Sequence, residues 1–119
     1  MSKWSDWNME ERVRQVLSQA EKRNEQRALM TAYQIAIAIC KKDDSFLEQT
    51  GKMIGDEDQP SNSLAVYISR ELSKRIRDQR IDDIEIFYLS QKYIDELEYI
   101  DHEGNEIETT TSTLFRLKG

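Results

Sequence analysis

Apolar positions recur at helical spacing through the first two thirds of the chain and shift toward alternation in the last third. From Asn8 to about Leu29, the residues Met9, Val13, Val16, Leu17, Ala20 and Ala28 follow a helical period, interrupted by the polar run EKRNEQR at 21–27. This predicts one long, exposed first helix. Its stripe is too narrow to seal a core, so it is expected to pack on a second copy, a protein partner or the domain edge. Thr31 and Gln34 have the spacing of a capping box, which starts a second helix near Ala32 that is apolar nearly all round through Ile39. Alternation of Tyr33, Ile35, Ile37 and Ile39 would also suit a strand, but the alanines and the cap favour helix. SFLE at 45–48 repeats the capping signature and Gly51 provides a stop, so a short third helix is expected.

GKMIGDEDQPSN, 51–62, is a loop with two of the four glycines and the sole proline, and Met53 and Ile54 are candidates for a brief strand. A long helix follows in NSLAVYISRELSKRIRDQR, 62–80. The β-rich stretches are IEIFYLS at 84–90, YIDELEYID at 93–101 and IETTTSTLFRL at 107–117, with a turn at HEGN, 102–105, that suits a C-terminal hairpin. The fold class expected is α+β, mainly α, divided into an N-terminal amphipathic helix over 1–30 and a domain over 31–119.

On a wheel of about 100° per residue starting at Leu64, Ile68, Leu72, Ala65 and Ile76 fall within about 120°, while Arg70, Lys74 and Arg77 cluster at about 220–280°. Three cations thus share one stripe opposite the core. The chain carries a net charge of -6, yet residues 62–80 hold five cations, Arg70, Lys74, Arg75, Arg77 and Arg80, against Glu71 and Asp78. A solvated helix back is the ordinary explanation of such a face. The separation of charge raises the alternative, a local contact with nucleic acid in a chain whose net charge repels it at long range.

The order of elements, with TAYQIAIAIC as first core helix, SFLEQT as second, NSLAVYISRELSKRI as third and ELEYIDHEGNEIETTT as hairpin, resembles the winged helix-turn-helix family over about residues 31–117. The resemblance implies a winged-helix-like core whose third helix enters the major groove of double-stranded DNA. Arg70, Ser73, Lys74 and Arg77 would face the groove, Arg80 would lie just beyond them, and His102 to Asn105 would form the wing tip. Helices outside the core often make dimers in that family, which points to Met9, Val13, Val16 and Leu17 as a homodimer or partner contact; Trp4 and Trp7, just before the first helix, either cap its thin apolar stripe or anchor that same contact. Two features depart from the family pattern. A long loop bearing Asp56, Glu57 and Asp58 separates the second and third helices, and residues 82–119 carry ten acids against Lys92, Arg116 and Lys118. An acidic wing engaging a basic protein is therefore the alternative function, a non-enzymatic interaction module or accessory subunit.

Catalytic chemistry finds little footing. His102 is the sole histidine and sits in the expected turn, and Cys40 lies in an apolar run, so neither an internal disulfide nor a multi-thiolate metal site is possible. None of the eight lysines is preceded two positions earlier by Asp or Glu, and DEDQPSN departs from a calcium loop, with Ser61 at its sixth position and Tyr67 at its twelfth. No catalytic residue, cofactor or metal is expected. A cytoplasmic setting is expected, with no membrane contact, from the single cysteine, the charged N-terminus and the lack of a long apolar run.

Overall fold

A computed structural model describes residues 3–54, 63–88 and 113–118. The fold is α+β and mainly helical. Its elements are α1 (Lys3–Asp6), α2 (Met9–Ser18), β1 (Lys22–Arg23), β2 (Gln26–Arg27), β3 (Met30–Thr31), α3 (Ala32–Lys42), α4 (Phe46–Thr50), α5 (Leu64–Arg77), β4 (Ile84–Tyr88) and β5 (Thr113–Leu117).

The first helix is shorter than its sequence suggests. α2 stops at Ser18, and the polar run beyond it forms an antiparallel ribbon in which Lys22 opposes Arg27 and Arg23 opposes Gln26. Asn24 and Glu25 both have positive φ, 54° and 68°, the geometry of a two-residue primed turn whose twist suits paired strands. Asparagine tolerates this region, whereas glutamate places its Cβ against the backbone at a cost of about 1–2 kcal/mol. Glu25 is exposed and forms no ion pair among the described residues. Glu25→Gly should therefore stabilise the protein by about 1 kcal/mol, raising its thermal midpoint by about 4 °C in a calorimetric scan. An unchanged or lower midpoint would show that the turn unfolds independently of the core.

Within its ten residues α2 is amphipathic enough to be a core helix. Met9, Val13, Val16 and Leu17 occupy i, i+4, i+7 and i+8, and all four are closed to solvent. They share one buried cluster with Ile35, Ala36 and Ile39 of α3, Leu64, Ile68 and Leu72 of α5, and Phe115 of β5. Described residues on both sides of residue 30 thus share this one cluster.

α3 begins as expected. The Thr31 hydroxyl accepts from the Gln34 amide at 3.1 Å, and the Gln34 side chain accepts from the Thr31 amide at 2.9 Å. At α4 the helix is present without the expected box. Ser45 caps nothing with its side chain, and instead its amide and hydroxyl both donate to the Asp43 carboxylate. Gly51, at φ 67°, ends α4. Met53 and Ile54 form no strand, but their carbonyls accept from the amides of Leu64 and Ala65, at 2.7 and 3.1 Å. Two free donors at the start of α5 are thereby satisfied by backbone, and Ser63 satisfies a third through Val66.

β5 is the central strand of a three-stranded antiparallel sheet, ordered β3-β5-β4. Phe115 lies opposite Met30 on one side and Ile86 on the other. Residues 113–117, the end of the second expected hairpin strand, pair with 84–88 on one side and with β3, from before α3, on the other. The expected strand at 93–101, the turn at His102 to Asn105 and the acids at 56–58 lie outside the described residues.

Candidate nucleic-acid interface

α5 buries Leu64, Ala65, Tyr67, Ile68, Leu72 and Arg75 and leaves Val66, Arg70, Lys74 and Arg77 exposed. Its inner face is fixed by core packing, so its outer face is fixed too. Arg70, Lys74 and Arg77 are spaced i, i+4 and i+7, spanning about 10 Å along the axis. Ser73, at the edge of this stripe, is half-buried.

The acids on α5 point elsewhere. Glu71 accepts from Arg75 Nη1 at 2.7 Å, and its other oxygen lies 3.8 Å from Arg70. The hydrogen bond from Arg75, reinforced by the charges of Arg75, Lys74 and Arg70, holds the Glu71 carboxyl below its ordinary range against an opposing desolvation cost. Asp78 is paired with Arg80 at 3.0 Å. Arg80 lies past the end of the helix and is engaged there, so it is not a member of the stripe. Its amide donates to the Arg75 carbonyl and the Gln79 amide to Ile76, a Schellman closure with Gln79 at φ 62°. Among the described residues Lys74 and Arg77 have no ion pair.

Sequence reasoning grouped Arg75 with the other cations of this helix. In the structure it is 9% exposed, its guanidinium sits 4.6 Å from the Trp4 ring centroid, and it binds Glu71. Its wheel angle, about 20°, falls between Leu64 and Ile68, so its position already marked it as an inner residue.

The residues expected at a dimer or partner surface are consumed within the chain. Trp4 is 4% exposed and packs on Tyr67 at 6.3 Å between centroids. Trp7, half-buried, meets Tyr67 edge-on at 5.5 Å and Phe46 at 6.4 Å. Met9, Val13, Val16 and Leu17 lie in the core described above. The narrow stripe left for a partner is covered by the chain's own α3, α5 and β5; five of the six residues are buried, and Trp7 alone keeps part of its surface open. Burial also raises the pKa of the Tyr67 phenol and the Cys40 thiol, which keeps Cys40 protonated and unreactive. Among the described residues no group of three or more His, Cys, Asp or Glu side chains could hold a metal ion.

Ion pairs fix the elements around α5. Arg14 on α2 grips Asp83, just before β4, with Nε at 2.7 Å and Nη2 at 3.0 Å, and also pairs with Glu10. The bond from Arg14 lowers the Asp83 pKa, and the charge of Arg14 adds to it. A depressed carboxylate contributes stability above its unfolded pKa of about 3.9 and loses it as pH falls through the folded value. The side chains are 31% and 43% exposed, so solvent screening limits the pair to about 1 kcal/mol. Arg14→Gln is expected to cost about that much at pH 7 and progressively less as pH falls through the lowered Asp83 pKa, read as urea midpoints. A cost independent of pH would assign the loss to packing instead.

No family model matches the chain, and no match was found among curated proteins or solved structures. No helix among the described residues is long and apolar enough to cross a membrane.

Proposed function

We propose that this is a small, non-enzymatic DNA-binding protein of winged-helix type, acting in the cytoplasm as a transcriptional regulator, with α5 as the element that meets double-stranded DNA. The observation that carries the reading is the state of the α5 stripe: Arg70, Lys74 and Arg77 are exposed on one face, Lys74 and Arg77 have no ion pair among the described residues, and Glu71, bound to Arg75 at 2.7 Å, lies only at 3.8 Å from Arg70. Such a stripe can neutralise phosphates, the largest source of non-specific affinity. The order α3, α4, α5 and then paired strands supports the resemblance read from the sequence. Val66 extends the stripe toward the helix start with an apolar side chain, 39% exposed, of the kind that can meet a thymine methyl group in the major groove.

The test is a mobility-shift series on duplex fragments at low salt. Three phosphate contacts give a slope of about -2.7 in log K against log salt, so affinity should fall about 40-fold between 50 and 200 mM salt. Replacing Arg70, Lys74 and Arg77 together by alanine should abolish the shift and leave the thermal midpoint unchanged. No retarded band from the wild-type protein, or equal binding by the triple variant, would overturn the proposal.

A further inference from the structure

A second feature of α5 faces away from the stripe. Between α1, the start of α2 and the C-terminal end of α5 lies an open cavity of about 350 Å³, lined by Trp4, Ser5, Asn8, Met9, Glu10, Arg75 and Arg80. This is near the lower end of the range for small-molecule sites.

One donor group on its wall is underused. Both hydrogen bonds that Arg75 donates among the described residues come from Nη1, to the carbonyl and the carboxylate of Glu71. The Nε and Nη2 edge of the guanidinium is therefore unspent. That edge is planar and carries two parallel N–H groups, the geometry that takes a carboxylate through both of its oxygens. Trp4 Nε1 is also without an acceptor among the described residues, but it is closed to solvent and is not offered to the cavity. Arg80, with about half its side chain exposed at 53% and paired with Asp78 at 3.0 Å, adds a second cation at the rim. The one acid on the wall, Glu10, is engaged by Arg14 at 2.8 Å, which offsets its repulsion of an anion.

We propose that this cavity binds a small organic carboxylate, held two-pronged by the free edge of Arg75, with Arg80 closing over it and the apolar body of the ligand against Trp4. Glu71 takes only Nη1 of Arg75, and the guanidinium lies over the Trp4 ring at 4.6 Å from its centroid. The site stands on the inner face of α5 and does not depend on DNA binding.

Benzoate titrated into the full chain is the test, with benzamide as an uncharged control and inorganic phosphate as a tetrahedral anion. The readout is the pair of indole N–H signals in a ¹H–¹⁵N spectrum, one for each tryptophan. Benzoate should move the Trp4 signal saturably, with a dissociation constant of about a millimolar or tighter, while benzamide leaves it in place. Arg80→Ala, at an exposed position that should not disturb folding, should weaken binding about tenfold. Arg75→Lys, which keeps the charge and removes the fork, should abolish it. A Trp4 signal unmoved at about 20 mM benzoate would overturn the proposal, as would equal binding by both variants. Phosphate binding as tightly as benzoate would overturn the carboxylate assignment.

Discussion

Phe115→Ala is expected to cost about 4 kcal/mol and to lower the thermal midpoint by about 15 °C, the largest effect of any single substitution proposed for this chain. Phe115 is fully closed to solvent and sits at the middle of β5, which is itself the middle strand of the sheet. Its ring belongs to the cluster that joins α2, α3, α5 and the sheet, and β5 packs on α2 and α3 as well as on both neighbouring strands. Rigid neighbours on two strands and two helices cannot all close on the cavity left by truncation, which places the cost in the upper part of the large-to-small range. Urea unfolding followed by circular dichroism checks the value. The midpoint should fall with little change in slope, because the substitution alters stability rather than the surface exposed on unfolding. Leu117→Ala, at a half-buried position of the same strand, should cost about 1 kcal/mol. Equal costs at the two positions would contradict a central β5.

The same strand illustrates what can be read in the amino-acid sequence. The β-branched and aromatic character of 84–90 and 107–117 points to strands, which the described parts, 84–88 and 113–117, form. It could not identify their partners, because a period of two says which residues share a face and nothing about the neighbouring strand. Short-range reasoning joined the last strand to the stretch just before HEGN. Residues 113–117 instead pair with 84–88 and with Met30–Thr31, more than eighty positions away. Local chemistry was legible wherever it was self-contained, as at the Thr31 capping box and the Gly51 stop.

The first helix failed for a different reason. Its stripe looked thin because it was averaged over residues that do not belong to it: removing 19–29 leaves four apolar residues in ten, a full core face. The signal was Asn24, an αL-tolerant residue at the centre of a polar run. At the candidate interface the wheel correctly separated Arg70, Lys74 and Arg77 from the core. Counting charge along 62–80 obscured the distinction between those three and Arg75, since a net balance has no direction.

That distinction leads to the second large effect: Arg75→Met should destabilise the protein by about 2–3 kcal/mol, although it removes a cation from a surface-charged helix. Three contributions are lost together. The guanidinium stack on Trp4 lies in a desolvated setting, where such contacts reach about 2 kcal/mol. The bond to Glu71 joins side chains only 11% and 22% exposed, so screening is weak. Glu71, deprived of its partner, keeps its desolvation penalty and should titrate at a higher pH than in the parent protein. Methionine retains most of the buried apolar stem, so the loss measures polar contacts more than volume. Because the penalty includes a stranded carboxylate, Glu71→Gln in the Arg75→Met background should restore about 1 kcal/mol at pH 7, while Glu71→Gln alone destabilises. Near pH 3, with Glu71 protonated, that restoration should vanish. Additive costs at pH 7, measured as urea midpoints of the four proteins in the cycle, would show that Arg75 holds α1 to α5 through Trp4 alone.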